Sequence, residues 1–527
     1  MFIYSTKRNN NGKVSTSLYL AESYREEGKV KHRLFTNITN WPDELIGQLR
    51  LVLKGGKVKS KEDLSHKQGK AIGALYVIQE ICKSIGISKS LGNDRQGKIA
   101  LLQIMGRIIT QGSRLYIANE WSQEQAIEEL LGISNYNEDT LYANLDWLSN
   151  RQLEIEKALY KMRKPGKCGG TIFLYDVSSS YLEGEQNEYA EYGYNRDRKK
   201  GKKQIVYGLL CDETGYPISI EIFKGNTNDQ NTVQNQLLKL RDDFGIEKVV
   251  FVGDKGMIKS TQIENIQELQ WYYLTSITKP QIKTLMTKGI IQLSMFDDKL
   301  NEIEYEGLRY ILRRNPYRAE EIQNNREDRE QWVLKKISLQ NTYLKEHLKA
   351  STEVSLKKIN GEIKRRKLTE IITTTLSGRT IHYSIDRTKE EEQSLLDGCY
   401  VMKTNVLQDV ERKEVLHDRY KDLALVETSF RTLKTGFEEI RPVYVRKEKR
   451  TNGHVFVCML AYMVLKHIWD KCRDSGYTLK YIIETLDKIQ FIQYKFEGKI
   501  IKVLPEELSE PQNEILRLLK IKLPKEV

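Results

Sequence analysis

Two short apolar runs fix most of what this chain can fold into. TIFLYDVSSSY (residues 171–181) and the run ending KVVFVGD at residue 254 are β-branched, and each reaches an aspartate at or near its end, which predicts Asp176 and Asp254 at the ends of buried strands. Between them lie QIVYGLLCD and YPISIEIF, joined by Asp212-Glu213-Thr214-Gly215, a turn composition in which glycine supplies a positive φ. From Asn231 to Phe244 the apolar residues fall at helical spacing. The predicted order is strand, strand, strand, helix, strand, with a carboxylate on the first and the fourth strand.

At 527 residues the chain holds more than one domain, or one domain with large insertions. Lys and Arg outnumber Asp and Glu by 85 to 72, a formal charge of +13 that suits a polyanionic partner without naming one. The six cysteines, Cys82, Cys168, Cys211, Cys399, Cys458 and Cys472, contain no CxxC pair and read as reduced core residues, neither disulfides nor a zinc site. MFIYSTKRNN is not a signal peptide. The longest uncharged apolar stretch, 451–465, is shorter than the roughly 20 residues of a spanning helix. A soluble, cytoplasmic protein with no membrane partner is expected.

Residues 2 to 40 alternate in short runs and predict a small antiparallel meander. From about Lys70 the period becomes helical. AIGALYVIQEICKSIGI and GKIALLQIMGRIITQG carry full apolar faces, and NEWSQEQAIEELLGI begins with a capping box, Ser122 with Gln125. With NEDTLYANLDWLSN it forms either a helix-turn-helix that binds DNA or part of an ordinary helical bundle. A further helix, 151–162, leads to the linker RKPGKCGG. The expected domains are a β meander plus helical region (1–165), a core in two parts (166–278 and 399–475), an insertion (279–398) and a helical tail (476–527). The insertion holds a β-rich piece, IIQLSMFDDKLNEIEYEGLRYILRRN, a long charged helical region and a second β-like segment, before GCYVMKTN resumes the core.

Beside the first acidic strand, Arg196, Arg198, Lys199, Lys200, Lys202 and Lys203 cluster with Tyr189, Tyr192 and Tyr194, a mixture that suits a phosphate backbone and unstacked bases; the alternative is a solvated loop. From Asp418 to Gly436, residues Tyr420, Leu423, Glu427, Phe430, Arg431 and Lys434 fall at steps of three and four on one helical face. A glutamate in such a stripe is costly to bury unless it is paired or binds metal, while a solvated glutamate is the commoner case. His454, on the apolar face of NGHVFVCMLAYMV, reads as a core histidine.

Together YDVSSSYLEG, VGDKGM and YKDLALVETSFRTLKT resemble the DDE-class bacterial insertion-sequence transposases, specifically the IS-four superfamily with an insertion between the second Asp and the Glu. The family's last motif runs Tyr, two residues, Arg, three residues, Glu, six residues, Lys; Tyr420, Glu427 and Lys434 match it, and Leu423 stands at the Arg position, so that Arg419 or Arg431 would supply the charge. The resemblance implies an RNase H-like α/β core within a mixed α+β protein, with Asp176, Asp254 and Glu427 as catalytic residues holding Mg²⁺ or Mn²⁺, two ions. Hard oxygen donors suit such ions, and an ion pair about 4 Å apart can clamp both oxygens of an in-line displacement. It further implies Tyr420 and Lys434, with Arg431, at the phosphates of double-stranded DNA, the partner being element ends and target DNA and the active form a homodimer. The activity implied is cut-and-paste transposition. A nuclease of the same fold and an inactive DNA-binding derivative are the rival readings.

Overall fold

The computed structural model describes residues 1–10, 13–56, 66–163, 171–184, 186–197, 199–434, 440–441, 445–496 and 499–524. The chain divides into two units, one built from residues 1–70 and 489–508, the other from 71–488 and 509–523.

In the first unit β1 (Phe2–Asn10), β2 (Lys13–Glu26) and β3 (Lys29–Asn37) form the expected meander, followed by α1 (Asp43–Leu53). β4 (His66–Ala71) lies in a second three-stranded sheet with β15 (Gln490–Phe496) and β16 (Lys499–Val503). The tail expected to be helical therefore contains a hairpin, because QFIQYKF and KIIKV alternate at a period of two, between α18 (Leu479–Asp487) and α19 (Glu510–Leu519).

The second unit opens with α2 (Gly73–Ser84), α3 (Ile87–Leu91) and α4 (Arg95–Ile109), then three short helices, α5 (Arg114–Tyr116), α6 (Ser122–Glu124) and α7 (Ile127–Leu131), and the long α8 (Glu138–Arg163). The capping box is not formed: Ser122 lies within the helical run and its hydroxyl donates to the Ala118 carbonyl (2.9 Å). The helical segment NEDTLYANLDWLSN and the helix expected over 151–162 are one helix, α8, because Leu141, Leu145, Leu148, Ile155 and Leu159 keep one buried stripe through both. These helices make a bundle with α17 (Glu448–Cys472), which is buried along most of its length. The two helices cross at Gly453, where a Cβ would lie 2.2 Å from the Leu145 carbonyl oxygen. His454, beside this crossing, is a core residue: its Nδ1 is 3.2 Å from Arg114 Nη2, and burial, reinforced by Arg114 and Arg107, holds its pKa well below the usual value.

The central sheet has eight strands in the order β10-β11-β14-β9-β8-β5-β6-β7. Five of them, β5 (Thr171–Tyr181), β6 (Gln204–Asp212), β7 (Pro217–Lys224), β8 (Val249–Val252) and β9 (Tyr272–Ser276), carry the RNase H-like core: the first three form an antiparallel meander, and β8 and β9 add in parallel on the other side of β5. Gly215 takes φ +71° in the β6–β7 turn. α9 (Gln230–Leu238) and α10 (Ser260–Glu268) are the crossovers, and Phe173, Tyr175, Phe251, Tyr273, Val233 and Leu237 lie in the core beneath them.

Beyond β9 the structure departs from the expected insertion. After α11 (Lys279–Thr287), β10 (Asn301–Tyr305) and β11 (Leu308–Arg314) extend the central sheet through β14 (Cys399–Thr404). The β-rich piece belongs to the core because its partner is a strand far downstream, a pairing that local pattern does not encode. What stands apart is α12 (Pro316–Glu346), α13 (Thr352–Arg365), the hairpin β12 (Ile372–Ser377) and β13 (Thr380–Ile385), and α14 (Arg387–Ser394); around Val333, Ile337, Ile359, Ile363 and Ile381 it has a hydrophobic core of its own. It leaves the sheet at Arg314 and returns at Cys399, residues paired with each other across β11 and β14. Cys82, Cys211, Cys399, Cys458 and Cys472 are buried thiols, and Cys168 lies outside the described residues. Among the described residues no helix is long and apolar enough to cross a membrane.

Candidate active site

The parallel pairing of β5 with β8 ends at Leu174 opposite Val252. Two residues further along the chain from each stand Asp176, still on β5, and Asp254, just past the end of β8. Asp176 is thus in the middle of β5, not at its end; it sits where the neighbouring strand stops and leaves the sheet open, while β5 itself runs on to Tyr181 against β6. Its Oδ1 accepts the Val177 N–H (2.7 Å). Asp254 lies in the turn toward α10, where its Oδ1 accepts the N–H groups of Gly256 (2.8 Å) and Met257 (3.0 Å).

The expected single helix over 418–436 is two. α15 (Lys413–Lys421) ends at Asp422, and α16 (Leu423–Lys434) begins immediately after it; residues 435–439 lie outside the described residues. Tyr420 therefore is not on the helix of Glu427: its hydroxyl donates to Ser276 Oγ at the end of β9 (2.7 Å). Arg419 pairs with Asp422 (2.8 Å). α16 packs on β5, burying Val426, Ser429, Phe430 and Leu433, with Phe430 edge-on to Tyr207 of β6 (5.5 Å) and Ser429 donating to the Tyr462 hydroxyl (2.7 Å). With that face buried, Glu427 and Arg431 are exposed. Asp176, Asp254, Glu427, Arg431 and Lys434 all line one open cleft of about 820 Å³.

Residues 167–464, more than half of the chain, match the family model described as the transposase DDE domain. The chain belongs to the DDE transposase family. Residues 3–68 of this transposase match the IS1634 family transposase N-terminal domain, a region in which the sequence offered no motif. Among solved structures, the piggyBac transposase synaptic complex with hairpin DNA, determined by cryo-EM, matches at 10% identity and a TM-score of 0.36 over 78% of this chain and 77% of that one. No curated protein matches the chain. The reaction of this transposase is the cleavage and transfer of DNA strands.

The transposase cleft also holds residues that the sequence did not single out. Asp229, in the polar run GNTNDQN, where no apolar period gives it a position, receives Arg196 (2.6 Å), and Lys259 lies on the same wall. Lys434 is paired with Asp197 (2.9 Å). The basic cluster disperses: Arg196 and Tyr194 line the cleft, Lys199 lies 5.7 Å from the Tyr181 ring centre, Lys203 lies 5.8 Å from that of Tyr192, Lys202 is 3.9 Å from Glu183, and Lys200 is exposed. Arg198 lies outside the described residues.

Burial raises the Asp176 carboxyl to a pKa of about 7, against the pull of the Val177 amide; the charges of Asp254 and Glu427 add to the rise and Arg196 opposes it. In the unfolded chain the same group titrates near ~3.9. Between these values the folded state binds more protons than the unfolded one, so stability falls as pH rises from about 4 to about 7. Stripped of divalent cations, the transposase is expected to melt at progressively lower temperature as pH rises from about 4 to about 7, and Asp176→Asn to lose that part of the dependence. An identical pH dependence of melting in the two proteins would place the titrating group elsewhere.

The family generally uses divalent metal ions. Among the described residues no three His, Cys, Asp or Glu side chains form a group that could hold one ion together. The donor chemistry nevertheless fits such cations: three carboxylates share a cleft, and Asp176 lies in the field of both others.

Proposed function

We propose that this transposase excises and inserts an insertion sequence by a cut-and-paste route, with Asp176, Asp254 and Glu427 as the catalytic carboxylates. The observation that carries this is the placement of Asp176 and Asp254 just beyond the last parallel pair of β5 and β8, with Glu427 presented to the same cleft from α16. The same three residues would hold the Mg²⁺ or Mn²⁺ ions, two in number, since carboxylate oxygens are the hard donors such ions take and all three line one cleft. When bound, such ions activate the attacking oxygen and stabilise the leaving one.

The remaining roles belong to the chain itself. The amides of Gly256 and Met257 fix the Asp254 carboxylate, and the buried face of α16 fixes the helix that presents Glu427. Arg431 and Lys434, which line the cleft, bind strand phosphates; Tyr420, whose hydroxyl is held by Ser276, is not among the residues lining it. Lys199, Lys200, Lys202 and Lys203, with Arg198, track the backbone outside the cleft. Water attacks the phosphorus at the element end and the element's 3′-oxygen leaves as a hydroxyl; that hydroxyl attacks a target phosphodiester and expels the target's 3′-oxygen, so each step exchanges one phosphodiester P–O bond for another and the protein forms no covalent bond to DNA. Two copies act together, one at each end of the element, in the cytoplasm.

The test is incubation of the purified protein with Mg²⁺, DNA bearing the element's terminal inverted repeats and a target plasmid. Cleaved 3′ ends joined to the plasmid are expected; strand breaks without joining would make the protein a nuclease. Changing Lys199, Lys200, Lys202 and Lys203 together to Gln should flatten the plot of log affinity against log salt by about 0.9 for each phosphate no longer neutralised. An unchanged slope would assign these lysines to a solvated loop.

A further inference from the structure

Leu423 leaves the family motif without its arginine, and Arg419, held by Asp422, is not among the residues lining the cleft. A different arginine is. Arg196 reaches the cleft wall from the segment between β5 and β6, and its Nη2 donates to Asp229 Oδ1 at 2.6 Å. Its backbone N–H donates to Ser179 Oγ (3.2 Å), three residues along β5 from Asp176. The next residue, Asp197, accepts the Tyr181 N–H (3.3 Å) with one oxygen and takes Lys434 (2.9 Å) with the other. Arg196 is thus tied on one side to the strand of Asp176 and on the other, through Asp197, to the helix of Glu427.

We propose that Arg196 is a phosphate-binding residue of this cleft, gripping a backbone phosphate next to the cleaved bond while Asp229 holds its guanidinium in position. The proposal rests on the reading that the cleft takes the DNA strand to be cut.

Three observations separate this from an ordinary surface ion pair. The Arg196 and Asp229 side chains keep 26% and 33% of their exposure, so the pair is open to the cleft, where such pairs add little to stability. A guanidinium carries five N–H donors in a planar fork, and among the described residues the Arg196 side chain makes one hydrogen bond, to Asp229. The unused edge matches the bidentate geometry of a phosphate, and a side chain already fixed by a carboxylate loses little freedom on binding it. Lys434, also in this cleft, is a point charge already matched by Asp197. Arg196 and Asp229 line the same cleft as Asp176, Asp254 and Glu427, so the fork shares the space of the three acids.

The test uses the full-length protein and end DNA in which the phosphates flanking the cleavage site are replaced one at a time by neutral methylphosphonates. Wild-type cleavage should slow on the order of 10- to 100-fold at one such position. Arg196→Gln should slow cleavage of ordinary DNA by a similar factor and then be insensitive to the methylphosphonate at that same position, with Arg419→Ala at the wild-type rate as control. Asp229→Asn should slow cleavage less and keep the sensitivity. Wild-type cleavage by Arg196→Gln, or a loss that multiplies with every methylphosphonate, would reduce Arg196 to a structural partner of Asp229. Should Arg196→Gln melt too low to assay, Arg196→Lys carries the same comparison, with reduced sensitivity expected and undiminished sensitivity overturning the proposal. A wild-type protein that neither binds nor cuts end DNA would overturn the transposition reading itself, a result distinct from any of these.

Discussion

Alanine at Asp176, Asp254 or Glu427 is expected to slow strand cleavage by roughly 10³-fold or more while leaving affinity for element ends within about threefold. The three positions test the site in different ways. Glu427 is exposed on α16 and its neighbours Val426, Ser429 and Phe430 do the packing, so its removal leaves the fold unchanged and any loss is chemical. Asp254 organises the turn into α10 through two backbone amides, so Asp254→Asn, which keeps an acceptor, is the better control for structure. Asp176 is half-buried and its carboxyl pKa is raised to about 7, so its replacement should not lower the melting temperature of the metal-free protein. The measurement is single-turnover cleavage together with the rise in melting temperature on adding Mg²⁺, which the three variants should lose in part or whole. Wild-type cleavage in any one of them would remove that residue from the site.

The second large effect is on stability and lies away from the cleft. Arg309 on β11 is 3% exposed; its Nε binds Glu302 on β10, and its Nη1 donates to the carbonyls of Val406 (2.8 Å), Leu407 (3.1 Å) and Glu411 (2.9 Å). One guanidinium therefore secures the segment that leads from β14 into α15. Arg309→Met should destabilise the protein by about 3 to 5 kcal/mol, since it strands a largely buried carboxylate and three carbonyl oxygens. Glu302→Gln, which leaves the carbonyl hydrogen bonds in place, should cost less. Urea unfolding measures both, and a loss under about 1 kcal/mol for Arg309→Met would mean that the carbonyls find other donors.

The contrast between what the sequence disclosed and what it concealed follows from the range of the interactions involved. The runs IFLY of β5 and VVFV of β8 are apolar and mostly buried, and Asp176 and Asp254 stand out just beyond them. Glu427 could be placed on a helix with Phe430 and Lys434 because three- and four-residue spacing is a local property. The break at Asp422 could not be read, since LALVETSF continues the same period and the helix ends through the packing of Tyr420 on β9. The membership of β10 and β11 in the central sheet was equally hidden, because strand partners are chosen by tertiary contacts. Asp229 and Arg196 come together from segments more than thirty residues apart, neither of which has a periodic pattern. The single helix α8 is obscured for the opposite reason: it keeps one buried stripe through a polar stretch that has the composition of a boundary.

The direct pairing of Arg314 with Cys399 bears on how such a protein came to be built. From the standpoint of the sheet, everything from α12 to α14 is the loop of a β-hairpin, however long, because its two ends are already neighbours. Lengthening a loop whose ends are fixed costs only about 0.6 kcal/mol per doubling, and a loop with its own hydrophobic core offsets even that. The appendage could therefore have been acquired, exchanged or lost between β11 and β14 without disturbing the strands that hold Asp176 and Asp254, leaving ancestry free to vary the accessory module while the chemistry stayed fixed.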